Sequence, residues 1–130
     1  VKIISFQKIK SSNIDIKIVN DLNKFLVIKR VFCINNNLKN DKRGFHAHKN
    51  CLQIVTCPIG VIKFKVFDGT NSKLFKISEN NKGIFIPNHI WTETTYVEKN
   101  TTLICYCSNL YNEKSYIRKK EEFMKFRKLI

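Results

Sequence analysis

Three histidines stand in the 130-residue sequence, His46, His48 and His89, and two of them are one residue apart in Arg43-Gly44-Phe45-His46-Ala47-His48-Lys49. Side chains two positions apart on a β-strand share a face, so a strand through this segment turns both imidazoles to one side. A pair of neutral imidazoles converging on one site suits metal ligation or proton transfer near neutral pH. Arg43 and Lys49 flank the pair; the first offers an anion a planar, bidentate donor and the second a point charge. In a regular strand, alternation puts both on the face opposite the histidines, so each needs a bend, at Gly44 or at the strand end, to reach the same site. Arg30 is a similar anion-binding candidate from the preceding strand. Gln53, four residues beyond His48 in the count of intervening positions, is placed to hydrogen-bond His48 or a substrate. Trp91, the sole tryptophan, could stack on a sugar or base face or fill the core.

The elements that must position these residues read as strands. Ala47 is the only alanine, glycine occurs four times, and isoleucine occurs 18 times, a composition that favours pleated surfaces over helices. Alternating or β-branched runs predict strands over 2–9, 14–19, 25–34, 43–57, 59–67, 73–77, 83–86, 90–96 and 102–107, with a loop at 38–42 and a turn at Asp68-Gly69. From Asn112 onward, apolar residues spaced among charges predict an amphipathic helix laid against one end of the strands. The expected architecture is all-β, in a single domain over 1–130 with a short C-terminal helix.

The formal net charge is +14, but the lysines are scattered singly and Arg118-Lys119-Lys120 runs at once into Glu121-Glu122. This pattern argues against a nucleic-acid partner and for steering of a small anion. Five cysteines, an odd number without a CxxC pair, predict reduced thiols and a cytoplasmic protein rather than a disulfide framework. No apolar run approaches the roughly 20 residues that span a bilayer, and no secretory signal is expected at the start.

The spacing His46-x-His48, four residues, Gln53, six residues, Gly60 resembles the first motif of the cupin superfamily. Gln53 stands where that motif has a carboxylate, and Thr92 stands where the second motif supplies a third histidine. Two imidazoles, an amide and a hydroxyl make a poor metal cage, so no metal is expected and the histidines are left for acid–base work. A closer similarity covers most of the chain: Arg30-Val31-Phe32, the Arg43 to Lys49 string, Asp68-Gly69, Gly83-Ile84-Phe85-Ile86-Pro87, Trp91 and Tyr116-Ile117-Arg118. This set resembles the dTDP-4-keto-6-deoxyglucose 3,4-ketoisomerase family.

The resemblance implies a cupin-type antiparallel β-barrel or jelly roll and a homodimer. It also implies a cofactor-free and metal-free isomerase that moves a carbonyl from C4 to C3 of a dTDP-linked 4-keto-6-deoxyhexose, a step towards a 3-amino-3,6-dideoxy sugar. His46 and His48 are then the catalytic pair, and Arg30, Arg43, Lys49, Gln53 and Trp91 are the substrate-binding candidates. Three other readings stay open at this point: a sugar-nucleotide 3,5-epimerase-like cupin, a cupin that binds a nucleotide sugar without turning it over, and a metal-dependent cupin oxygenase.

Overall fold

The computed structural model describes residues 1–78 and 82–129. In chain order its strands are β1 (Lys2–Ser5), β2 (Lys8–Lys10), β3 (Asp15–Lys17), β4 (Arg30–Asn36), β5 (Asp41–His48), β6 (Gln53–Ile59), β7 (Val61–Phe67), β8 (Ser72–Ser78), β9 (Lys82–Ile86), β10 (Trp91–Tyr96), β11 (Thr101–Cys107) and β12 (Tyr116–Ile117). One α-helix, α1 (Lys120–Lys128), follows. Strands β1-β9-β6-β11-β4 form one antiparallel sheet and β12-β5-β10-β7-β8 a second, while β2 and β3 pair as a separate hairpin. Antiparallel β-sheet with one C-terminal helix is what the alternating sequence predicted.

The alternation also decides which side chains meet. In β7, Ile62, Phe64 and Val66 are buried, whereas Lys63 and Lys65 face out. In β11, Leu103, Cys105 and Cys107 point inward. These inward rows from the two sheets join Val55, Phe75, Ile77, Ile84 and Tyr96 in one core, where full burial of a side chain such as Phe64 contributes about 1.5–3 kcal/mol.

The outer faces are covered separately. Leu22 and Leu26 lie over Ile54, which is why β6 is buried on both sides. On the other sheet, Phe123 of α1 docks onto Ala47, Trp91 and Ile117. Glu121 and Glu122 in the first turn of α1 and Lys125, Arg127 and Lys128 in the last both complement its dipole.

The strand expected over 2–9 is split into β1 and β2, the one over 14–19 is shortened to β3, and β5 begins at Asp41 inside the loop expected over 38–42; at three further boundaries a tertiary contact overrides the local pattern. The strand expected over 43–57 is broken between His48 and Gln53: the Lys49 amide bonds to Ser115 O (2.9 Å), the Leu52 amide to Ser108 Oγ (2.9 Å), and Cys51 turns into the core. The strand expected from 25 begins only at Arg30, because Leu22–Lys24 forms a 3₁₀ turn that seats Leu22 and Leu26 on the outer sheet face. The tail is helical only from Lys120. Before it, Asn112 Oδ1 caps a 3₁₀ turn by accepting the Lys114 amide (3.1 Å). Tyr116 and Ile117 then pair with His48 and Ala47, giving β5 a ladder partner on its open side.

Candidate active site

β5 carries both histidines, and its register with β10 explains how its side chains are aimed. Thr92 pairs with His46, but the next pair is Glu93 with Gly44, so Phe45 is an extra residue bulged out of the ladder. Gly44 (φ 94°) and Phe45 (φ 55°) are both left-handed, the conformation for which glycine is suited and phenylalanine is not. Beyond the bulge, Arg43 pairs with Thr94. Since Thr92 and Thr94 are two apart on one face, the bulge turns Arg43 to the same side as His46, the bend the regular strand lacked.

Ala47 points the other way and is fully buried against Trp91, Ile117 and Phe123. With so little room at that position, the smallest Cβ side chain lets α1 close down while His46 and His48 face inward.

The two imidazoles meet edge-on, with ring centroids 5.1 Å apart, and Tyr116 completes a ring trio at 5.2 Å from His46 and 4.3 Å from His48. His46 Nδ1 and His48 Nε2 are buried without a protein partner. Burial pushes His48 down to about 3, helped by His46 and by the charges of Arg30 and Arg118. Burial likewise lowers His46, where Arg118 acts in the same sense and Glu113 opposes it. Both rings are uncharged at neutral pH, the form that accepts a proton.

A pH effect on stability follows. An unfolded histidine protonates near pH 6.5, whereas folded His48 resists until about 3. Between those values the unfolded chain binds a proton that the native one does not, so stability falls as pH drops through this window. Urea midpoints measured from pH 7 to pH 4.5 should fall more steeply for the wild type than for His48→Asn. Parallel slopes would show that His48 is not the group responsible.

Two cavities open at the trio. The larger, about 390 Å³, is lined by Lys29, Arg30, His48, Cys51, Tyr111 and Tyr116 among others, a size suited to a small ligand. The smaller, about 90 Å³, lies between the sheets and is lined by His46, Arg43, Gln53, Thr92 and neighbouring apolar residues. Arg30 reaches Cys107 Sγ (3.5 Å). Gln53 is buried, its Nε2 3.8 Å from the same sulfur. Arg43 Nε donates to Asp41 Oδ2 (2.7 Å), which also accepts from Asn36, so its guanidinium sits at the rim.

The structure therefore gathers His46, His48, Arg30, Arg43 and Gln53 around the two cavities. Lys49 opens instead onto the groove shared with Ile117, Phe126 and Leu129. Trp91 stands on the reverse face of the sheet, its Nε1 donating to Glu93 Oε2 (3.1 Å) beneath α1. Among the described residues, no three His, Cys, Asp or Glu side chains form a metal-binding group.

Four residues at this site were not singled out from the sequence as site residues. Arg118 lies over the Tyr116 ring (4.4 Å to the centroid) and binds Glu113 in bidentate fashion (2.6 and 2.9 Å). Tyr111 stacks beside Tyr116 at 5.7 Å and donates to Glu113 Oε2 (2.6 Å). The one available signal was the Tyr116-Ile117-Arg118 string. Its expected helical setting hid the strand pairing that brings Tyr116 to His48.

Fold and site together define an acid–base cavity with a cationic rim, built on two antiparallel sheets. Residues 1–128 match the family model described as "FdtA: WxcM-like, C-terminal". The chain is 29% identical over 126 residues to the TDP-4-oxo-6-deoxy-alpha-D-glucose-3,4-oxoisomerase of Aneurinibacillus thermoaerophilus, covering 96% of this chain and 91% of that one. The crystal structure of a 3,4-ketoisomerase from Helicobacter canadensis superposes with a TM-score of 0.89 at 28% identity, covering 98% of this chain and 96% of the other. The Campylobacter jejuni TDP-fucose-3,4-ketoisomerase WlaRA gives a TM-score of 0.86 at 28% identity, covering 99% and 96%. The chain belongs to the FdtA family of sugar-nucleotide 3,4-ketoisomerases.

Proposed function

We propose that this protein is a cofactor-independent 3,4-ketoisomerase of the cupin type, acting on a dTDP-linked 4-keto-6-deoxyhexose. The observation that carries the reading is the pair of uncharged imidazoles, half-buried His46 and buried His48, whose buried, unpartnered nitrogens lie at the two cavities. Abstraction of a proton α to a ketone needs a base that is neutral before the reaction and a surrounding that stabilises the developing oxyanion. One imidazole takes the C3 proton and later returns a proton to C4, while the other supports the enediol. Arg30 binds the diphosphate beside Lys29, Arg43 serves from the rim, and Gln53 hydrogen-bonds the sugar. Lys49 contributes charge outside the cavity, and Trp91 supports the histidine strand from behind.

The two facing sheets correspond in this reading to a cupin jelly roll forming one domain over 1–130. A homodimer is supported by the exposed Ile9, Ile14 and Ile16 around the β2–β3 hairpin, an apolar surface that a second copy would cover, and a cytoplasmic location by the five free cysteines.

The test is to incubate purified protein with dTDP-4-keto-6-deoxyglucose in deuterated water and to follow C3 and C4 by NMR. A 3-keto product carrying deuterium at C4 is expected. Binding of the nucleotide sugar without product or exchange would assign the site to recognition only, and exchange at C5 would assign it to epimerisation.

A further inference from the structure

We propose that Arg127 is a positioning residue for His48: from α1 it fastens the β9–β10 turn at His89, and His89 in turn holds the His48 backbone. This deepens the 3,4-ketoisomerase reading and rests on it.

His48 is the last residue of β5, and the end of a strand frays unless its backbone groups are bonded. The ladder with β10 has already stopped, its last rung being Thr92 with His46. On the β12 side it is the next residue that bonds, the Lys49 amide donating to Ser115 O (2.9 Å). The His48 carbonyl itself accepts the His89 amide (2.9 Å), which comes from the turn between β9 and β10. The residue that carries the reacting imidazole is therefore fixed, where the ladder has ended, by a hydrogen bond from a loop.

That loop needs holding. His89 is left-handed (φ 68°), a conformation that costs a residue with a side chain and persists only where the surroundings impose it. The surroundings are side chains of α1: the Phe126 ring meets the His89 ring edge-on at 5.0 Å, and Arg127 Nη1 donates to the His89 carbonyl (3.2 Å). Arg127 follows Phe123 by one helical turn, so the face that seats Phe123 on Ala47 also delivers the guanidinium to the turn. Its stem lies across Gly69, where an added Cβ would come 3.2 Å from the Arg127 Cβ and Cγ. Glycine at that corner leaves the stem its path.

His89 thus receives the helix at its carbonyl and holds the histidine strand at its amide. This gives the third histidine of the sequence a backbone role, with its ring packed on Phe126. Arg127 and His89 line neither cavity of the site, so an effect of either on turnover has to pass through the strand. Proton abstraction from carbon is sensitive to such a path, because rate depends on the imidazole standing within a fraction of an ångström of its place.

Arg127→Met keeps an aliphatic stem over Gly69 and removes the donor, while Arg127→Lys puts a donor of similar reach back. In the deuterium assay, kcat of the Met variant is expected to fall roughly 10- to 100-fold, the loss that follows when a reacting group is misplaced by up to about 1 Å. KM and the affinity for TDP measured by calorimetry should stay near wild type, and the Lys variant should recover most of the rate. In NMR spectra of the ligand-free protein, the His48 imidazole signals, assigned with His48→Asn, should shift or broaden in the Met variant. A Met variant within about twofold of wild type in kcat, or a Lys variant no faster than it, would overturn the proposal. Matching losses of kcat/KM, TDP affinity and melting temperature would also overturn it, making Arg127 a general support of the fold. Absence of turnover in the wild type would overturn the ketoisomerase reading; the His48 signals then decide whether Arg127 positions His48, and signals unchanged in the Met variant would show that it does not.

Discussion

His48→Asn is expected to lower kcat for the ketone transfer by on the order of 10³-fold while leaving TDP affinity within a small factor of wild type. Asparagine is similar in length and still polar, so it can occupy the buried position between Tyr116 and Arg30. It has no nitrogen that accepts a proton near neutral pH. The buried imidazole it replaces is uncharged across the working range, because burial and the neighbouring cations hold its pKa down to about 3. Cavity shape and rim charge are unchanged by the substitution, so the loss should fall on kcat and not on nucleotide binding, the pattern of an interaction made in the transition state. Steady-state kinetics and calorimetry on the same preparation read both quantities. A kcat within tenfold of wild type would remove His48 from the proton-transfer chemistry, and a matching fall in TDP affinity would recast it as a binding residue.

The largest expected effect on stability lies away from the site, at Gly60. This residue alone joins β6, in one sheet, to β7, in the other, and does so at φ 86°. A Cβ there would collide with Thr101 Oγ1 and come 2.8 Å from Thr101 Cα. Thr101 is fully buried, with its hydroxyl donating to Glu98 O (2.8 Å), so it cannot step aside without breaking that bond. Left-handed strain adds to the clash. Gly60→Ala should therefore cost about 3–5 kcal/mol, at the upper end for a single substitution. Urea denaturation checks this, and a loss below about 1 kcal/mol would mean that the β6–β7 corner relaxes more easily than its contacts suggest.

The +14 charge acquires a local meaning once the fold is known. Lys29 and Arg30 arrive at the large cavity from the start of β4, and Arg118, from the far end of the chain, lies over the Tyr116 ring. Glu113 is the acid that holds Arg118. Many of the scattered lysines stand on the surface, as Lys63 and Lys65 do on the outward face of β7, and keep it wetted. Anion recognition falls to a few cations gathered by topology, and composition alone could not say which.

Much of the scaffold was legible because period-two alternation is a local property. Val61–Phe67 buries every second residue whatever it pairs with, and Asp68-Gly69 turns by its own chemistry, with Asp68 Oδ1 accepting the Thr70 and Asn71 amides (2.8 and 2.7 Å). The histidine pair was legible for the same reason: two residues separated by one share a strand face. Gln53 could be picked out by spacing because it opens the next strand of the core. What alternation could not supply was the face of Arg43, which the bulge at Phe45 reverses, or that of Trp91, which the register with β7 and β5 sends beneath α1.

The sequence by itself determined the all-β character, the inward pairing of His46 and His48, and, through its motif string, the family. Only the tertiary structure decided that the imidazoles are desolvated and neutral, that Arg30 and Gln53 converge near them, and that Tyr116 pairs with His48 across 68 residues of chain. The reason is physical: a strand's period is written in consecutive residues. Desolvation, register and the partner of a short edge strand depend on segments far apart in the chain, and no local pattern encodes which of them will meet.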